Sequence, residues 1–176
     1  DTRGVAIVLK KWARKGRLPD AIVIEHPRYA GGHLGAPNPA DLTQARFDFA
    51  EVLPGIFRLF DEQGIARDRI PLIVGGGINR HEKMQAALAL GAAAVQVGTA
   101  FAVTEEGDAH PDFKRVLLDA RPQDIVTFMS VAGLPARAVN TPWLANYLRR
   151  EARLQACAKA DPARCALGLH CLTQCG

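Results

Sequence analysis

Three short apolar runs, at residues 21–24, 71–74 and 94–97, alternate along the chain with longer segments of mixed polarity. The first run, Ala21-Ile22-Val23-Ile24, lacks the alternation of polar and apolar residues found in a strand with one solvent-exposed face. Uninterrupted runs of this kind are typical of parallel strands that are covered on both faces. The pattern therefore predicts an α/β fold with a parallel sheet.

Three longer segments, one before the first run and one before each of the other two, have apolar residues at helical spacing, and each ends at a glycine. Pro54 is compatible with a helix only in the first turn, because proline lacks the N–H that bonds the preceding turn. Asn79 and Glu82 have the spacing of an N-cap residue and its reciprocal partner. The predicted helices cover residues 5–13, 49–64 and 79–91, with ends at Gly16, Gly64 and Gly91.

This order of helices and strands implies a parallel sheet with right-handed crossovers, although three strands are too few to close a barrel. Beyond Phe101 the pattern changes. It predicts a helix over 111–120, a strand over 125–131 and a longer basic helix over 143–158. We therefore expect the chain to divide near residue 104.

Two of the predicted strands end in glycine, at Gly75-Gly76-Gly77 and at Gly98-Thr99. Neighbouring parallel strands place their carboxyl ends at the same edge, where glycines let backbone N–H groups approach a phosphate and Thr99 offers a hydroxyl. Tight turns also require glycine, so each run alone is a weak signal. Together, the two runs favour a phosphate site.

The first predicted strand is followed by a third glycine-rich segment, residues 30–35, which contains His33. An imidazole near neutrality suits proton abstraction or donation, so His33 is the candidate catalytic group; the alternative is a solvated loop histidine. His26, at the strand end, would either face the ligand or pack against the loop. Glu25, beside it, would be a buried charged partner at the strand end, and the sequence does not identify its counter-ion.

Composition and charge narrow the class of protein. The apolar share of 48% and the charged share of 23% are those of a globular protein. The net charge of +4 is spread along the chain without a recognition motif, so nucleic acid is not the expected partner. No apolar run approaches the ~20 residues that span a bilayer, and the N-terminal residues lack a signal-peptide core, so we expect no membrane association and a cytoplasmic location.

The four cysteines lie in the last twenty residues, with His170 beside one of them. Because paired CxxC spacing is absent, the sequence favours reduced cysteines over a metal site, and a disulfide is disfavoured in the cytosol. The cysteines are Cys157, Cys165, Cys171 and Cys175.

Four motifs together resemble those of the FMN-dependent nitronate monooxygenases, formerly called 2-nitropropane dioxygenases. They are AGGHLG at 30–35, PLIVGGGI at 71–78, VQVGTAF at 95–101 and GLPAR at 133–137. The resemblance covers most of the chain, from about residue 2 to residue 137. The motif set also resembles the FMN-dependent enoyl-acyl-carrier-protein reductases and the NAD(P)H:quinone reductases.

The resemblance implies a TIM barrel with a smaller added domain, in which the three strands look like the sixth, seventh and eighth. Residues 1–104 would then be a partial FMN-binding barrel, and residues 105–176 a helical extension or small substrate-side subdomain. We expect this chain to be a C-terminal fragment whose partner is the missing N-terminal part of the barrel. A homodimer is a further expectation.

The resemblance also implies roles for individual residues. His33 would be the catalytic base, Gly31 would approach the flavin, and His26 would contact it at a position where the family often has glutamine. No metal is implied. The residues expected to bind the FMN phosphate are Gly76, Gly77, Gln96, Val97, Gly98 and Thr99.

The implied reaction is the oxidation of a nitronate or nitroalkane to a carbonyl compound and nitrite, with FMN as electron acceptor and oxygen completing the oxidation. The first alternative is an FMN-dependent NAD(P)H oxidoreductase of the enoyl reductase or quinone reductase type. The second is a non-catalytic subunit that lends its phosphate loops to another chain.

Overall fold

The computed structural model describes residues 1–130 and 134–160, without the side chains of His33, Ala152 and residues 154–160. The helices are α1 (Thr2–Ala13), α2 (Phe49–Glu62), α3 (His81–Ala89), α4 (Thr99–Ala102), α5 (Pro111–Asp119) and α6 (Pro142–Ala160). The strands are β1 (Ile22–Glu25), β2 (Gly32–His33), β3 (Leu72–Gly75), β4 (Ala94–Gln96), β5 (Ile125–Met129) and β6 (Pro135–Val139). Three short 3₁₀ helices lie at Pro39–Thr43, Ala45–Phe47 and Pro122–Asp124.

The chain forms two compact units. The first comprises Asp1–Ala30 and Leu42–Ala102, and the second comprises Gly31–Asp41 and the described residues from Val103 onward. The segment Gly31–Asp41, which the sequence places with the preceding strand, therefore belongs to the second unit.

The first unit is a parallel sheet with strand order β1-β3-β4, as the sequence predicts. Its core lies on one face, where Ile24, Leu72 and Val74 pack with apolar residues of the helices. The largest share comes from α2, since residues spaced by three and four positions lie on one helix face. Those α2 residues are Val52, Leu53, Ile56 and Phe60, all buried.

Pro54 lies in the second turn of α2, so the expectation that a helix tolerates it only in the first turn is wrong. A proline at this depth costs about 3 kcal/mol, because one helical hydrogen bond is lost. Leu53 and Ile56 on either side are fully buried, and each contributes about 1.5–3 kcal/mol. Burial of the apolar face therefore outweighs the break in the hydrogen-bond ladder.

Helix α3 begins later than the sequence predicts. Its N-cap residue is Arg80, with no side-chain capping bond, so the prediction of an Asn79 cap is wrong. The stop at Gly91 is correct: this glycine has φ +97°, and an added Cβ would lie 2.7 Å from the Phe57 ring.

The expectation that β1 is covered on both faces is wrong. Val23 is 54% exposed, and Ala94 and Gln96 are also exposed. Side chains alternate along a strand, so these residues share the face opposite the core. Helices α1, α2 and α3 pack on the other face, which leaves this open face without a covering layer within the first unit.

The second unit contains an antiparallel sheet with strand order β2-β6-β5. Strand β5 and helix α5 follow the prediction closely, whereas β2 and β6 are not predicted by the sequence. Strand β2 has only two residues, and β6 begins with Pro135, a residue that local patterning assigns to loops or strand ends. Their pairing joins segments about a hundred residues apart, which no local pattern reveals.

Candidate functional site

The carboxyl ends of the three parallel strands meet at one edge. Glu25 pairs with Gly75 and Gly75 with Gln96, so the residues that follow each strand are neighbours. The predicted phosphate-binding residues Gly76, Gly77, Gln96, Val97, Gly98 and Thr99 all lie in this first unit, together with His26. The structure therefore brings together both glycine loops, as the sequence predicts.

Gly76 and Gly77 have backbone conformations that side chains rarely adopt, with φ +98° and +73°. They also pack closely: a Cβ on Gly76 would lie 3.0 Å from the carbonyl oxygen of His26, and one on Gly77 would lie 2.9 Å from Cγ of Tyr29. Lys83 Nζ donates a hydrogen bond to the Gly77 carbonyl oxygen at 2.9 Å. Both glycines are thus required by the fold, whatever the loop binds.

The second glycine loop is more open. A Cβ on Gly98 would meet no atom within 4 Å, and its carbonyl accepts hydrogen bonds from the N–H groups of Phe101 and Ala102. Within the described part of the chain, no backbone acceptor takes a hydrogen bond from the N–H groups of Gly76, Gly77, Gly98 or Thr99. Such N–H groups beside exposed backbone are suited to an anion such as a phosphate.

His26 is buried, at 6% exposure, and both of its ring nitrogens have protein partners. Nε2 lies 3.0 Å from Oδ1 of Asp48, and Nδ1 accepts a hydrogen bond from the backbone N–H of Arg28 at 3.2 Å. Because a backbone N–H can only donate, Nδ1 is the acceptor and Nε2 carries the proton that is donated to Asp48. The ring also contacts Tyr29 and Phe49. A flavin contact from His26, as the resemblance implies, would therefore meet ring nitrogens that are already hydrogen-bonded to protein groups.

Asp48, the hydrogen-bond partner of His26, is not predicted as a site residue from the sequence. It precedes α2 as its N-cap residue but makes no side-chain capping bond, and its side chain is 58% exposed. A polar residue directly before an amphipathic helix is an N-cap signal, which would have drawn attention to it.

The open face of the sheet carries a polar row at this same edge. Glu25 and Gln96 flank Gly75 in register, and a Cβ on Gly75 would lie 3.2 Å from the Gln96 Cβ. Glu25 is exposed, so the expectation of a buried partner is wrong. One step back along the strands, the row Val23, Ile73 and Ala94 is apolar.

His33 and Gly31 belong to the second unit. His33 pairs with Ala136 in the antiparallel sheet, Gly32 pairs with Arg137, and the Leu34 N–H donates to the Pro135 carbonyl at 2.8 Å. The glycine-rich histidine motif and residues 135–137 are thus direct backbone neighbours across β2 and β6. This pairing fixes the backbone at His33, whose side chain is not described.

A groove of about 830 Å³ opens at the opposite, amino end of the strands. It is lined by Phe57, Leu90, Pro71 and Arg67, and Arg67 is already paired with Asp61 by a 2.7 Å hydrogen bond. This bond to the guanidinium holds the pKa of Asp61 below its usual range. In α/β barrels, sites lie at the carboxyl ends of the strands, so the glycine-loop edge is the stronger candidate.

No helix in the described residues is long and apolar enough to cross a membrane. Those residues also contain no group of three or more His, Cys, Asp or Glu side chains that would hold a metal ion. His170 and three of the cysteines lie outside the described residues, as does the side chain of Cys157, so the role of the cysteine cluster stays a prediction.

A family model and the curated relatives match this chain to the same family. The family model described as nitronate monooxygenase matches residues 3–166. A probable nitronate monooxygenase of Bacillus subtilis is 33% identical over 123 residues, which are 70% of this chain and 33% of that protein. The chain thus spans about a third of the length of the curated relatives it matches.

Solved structures of similar fold also match this chain. FabK of Thermotoga maritima matches with a TM-score of 0.57 and 29% identity over 89% of this chain and 42% of that chain. A nitroalkane oxidase of Streptomyces ansochromogenes matches with a TM-score of 0.51 and 28% identity over 83% of this chain and 43% of that chain. The fold is thus part of a TIM barrel.

Proposed function

Since this chain belongs to the nitronate monooxygenase family, we propose that it binds FMN and takes part in the oxidation of nitronates or nitroalkanes to carbonyl compounds and nitrite. One observation carries the proposal. Two glycine loops at the carboxyl edge of one parallel sheet present backbone N–H groups that have no backbone acceptor in the described chain.

These loops fit the phosphate of FMN. The N–H groups of Gly76 and Gly77 would approach it from one loop, while Gly98 and Thr99 would do so from the other, with the Thr99 hydroxyl as a further donor. Hydrogen bonds from neutral donors to a charged phosphate contribute about 1.5–3 kcal/mol each. Gln96 and Val97 complete this loop at the end of β4.

His33 would move the proton. The α-proton of a nitroalkane is acidic, and an imidazole near neutrality suits its removal; with a nitronate already formed, the imidazole would bind the substrate instead. Gly31 has an added-Cβ position with no neighbour within 4 Å, which leaves room for a flavin to approach. FMN, when bound, supplies the electron acceptor, and oxygen completes the oxidation.

The rest of a barrel would be a necessary partner. The apolar row Val23, Ile73 and Ala94 on the open sheet face is the surface that the remaining strands of a barrel would cover. A homodimer and a cytoplasmic location stay predictions from the sequence.

The experiment that tests the reaction is an assay of the full-length protein with a nitronate under oxygen. We expect nitrite release that depends on FMN, and no NAD(P)H-dependent reduction of an enoyl thioester. The competing candidate is the NAD(P)H-dependent enoyl reductase type, which the motif set also resembles. Enoyl reduction without nitrite would replace the proposal with that candidate.

A further inference from the structure

The turn that follows β1 packs directly against the Gly76–Gly77 loop. The His26 N–H donates to the Gly75 carbonyl at 2.9 Å. A Cβ on Gly76 would lie 3.0–3.2 Å from the backbone N, carbonyl oxygen and Cβ of His26, and Gly77 packs equally closely on Tyr29. The position of this turn therefore sets the position of both glycines.

The His26 side chain and backbone hold the turn together. The N–H groups of Tyr29 and Ala30 both donate to the His26 carbonyl at 3.0 Å, and the Arg28 N–H donates to Nδ1. On the far side of the ring, Nε2–H donates to Asp48, which ties the turn to the start of α2. One buried imidazole thus joins the end of β1, the turn and a helix.

We propose that His26 is a positioning residue, which holds the Gly76–Gly77 loop in the conformation that binds the FMN phosphate. This inference rests on the proposed function, and it differs from a flavin contact because both ring nitrogens are directed at protein groups. The bond from the Arg28 N–H to Nδ1 fixes the turn, and the bond to Asp48 fixes the ring.

Two substitutions of His26 separate the two bonds. His26→Asn places an amide oxygen near the position of Nδ1, so it keeps the acceptor for the Arg28 N–H and loses the donor to Asp48. His26→Gln has an amide group near the position of Nε2, so it keeps the donor to Asp48 and loses the acceptor for the turn. Urea unfolding of each full-length variant checks that it is folded.

The main measurement is the ratio of riboflavin Kd to FMN Kd, because only FMN carries the phosphate. We expect His26→Gln to lower this preference about tenfold, because a displaced loop loses about one hydrogen bond from a glycine N–H to the charged phosphate. His26→Asn should retain the preference to within about threefold. Hydrogen exchange of apoprotein amides at residues 75–78 should be faster in the Gln variant than in the Asn variant.

Two outcomes would overturn the positioning role. The first is an FMN preference and an exchange rate that neither variant changes. The second is an equal loss of FMN and riboflavin affinity in both variants, which would mean that the ring itself contacts the flavin. A wild-type protein without any preference for FMN contradicts the phosphate site instead, and the exchange rates then still decide whether His26 positions the loop.

Discussion

His33→Ala is expected to lower kcat/KM for a nitroalkane by about 10²–10⁴-fold, the usual contribution of a general base. The same variant should lose far less activity with a preformed nitronate, because no proton remains to be removed from that substrate. FMN affinity should change little, since the proposed phosphate contacts come from the loops after β3 and β4. Steady-state kinetics with both substrate forms measures the difference.

A matched control is His81→Ala. His81 is an exposed histidine in the first turn of α3 and is not assigned to the proposed site, so both activities should persist. An equal loss of activity on nitroalkane and nitronate in the His33 variant would show that this residue does not act as the base. Unchanged activity on both substrates would remove His33 from the mechanism.

Gly98→Asp is expected to weaken FMN binding by about a hundredfold. The FMN phosphate carries nearly two negative charges, and a carboxylate about 5 Å away opposes it by roughly 3 kcal/mol at an intermediate dielectric constant. Gly98 is suited to this test because its φ is not in the left-handed region and its added Cβ meets no atom within 4 Å. Substitution at Gly76 or Gly77 would strain the backbone and confuse binding with folding.

The control for charge is Gly98→Asn, which has nearly the same shape as the aspartate. It should bind FMN much more tightly than Gly98→Asp does, and the two variants should bind riboflavin with similar affinity. Titration of flavin fluorescence gives both Kd values. A similar FMN affinity in the Asp and Asn variants would show that no phosphate lies beside Gly98.

The strands of the parallel sheet are predictable from the sequence to within one residue at each end. All three are short, mainly apolar runs, and those at 71–74 and 94–97 are followed directly by glycine, so local pattern suffices to detect them. The shared edge of the two glycine loops follows from parallel topology alone. The helix stops at Gly16, Gly64 and Gly91 are equally local, because each glycine has a positive φ.

Features that depend on distant partners are not predictable in this way. The strand at His33 exists because β6 supplies its hydrogen bonds from a hundred residues away. The bond between His26 and Asp48 likewise joins residues that are 22 positions apart. The exposure of Val23 has another origin: its strand pattern is that of a sheet covered on both faces, and the first unit covers only one.

The visible absorption spectrum of the purified full-length protein shows directly whether it binds FMN. We predict the absorption bands of an oxidised flavin, with FMN as the chromophore released on denaturation. Protein that is folded and yet neither carries flavin nor takes up added FMN would rule out an FMN site and favour a non-catalytic subunit.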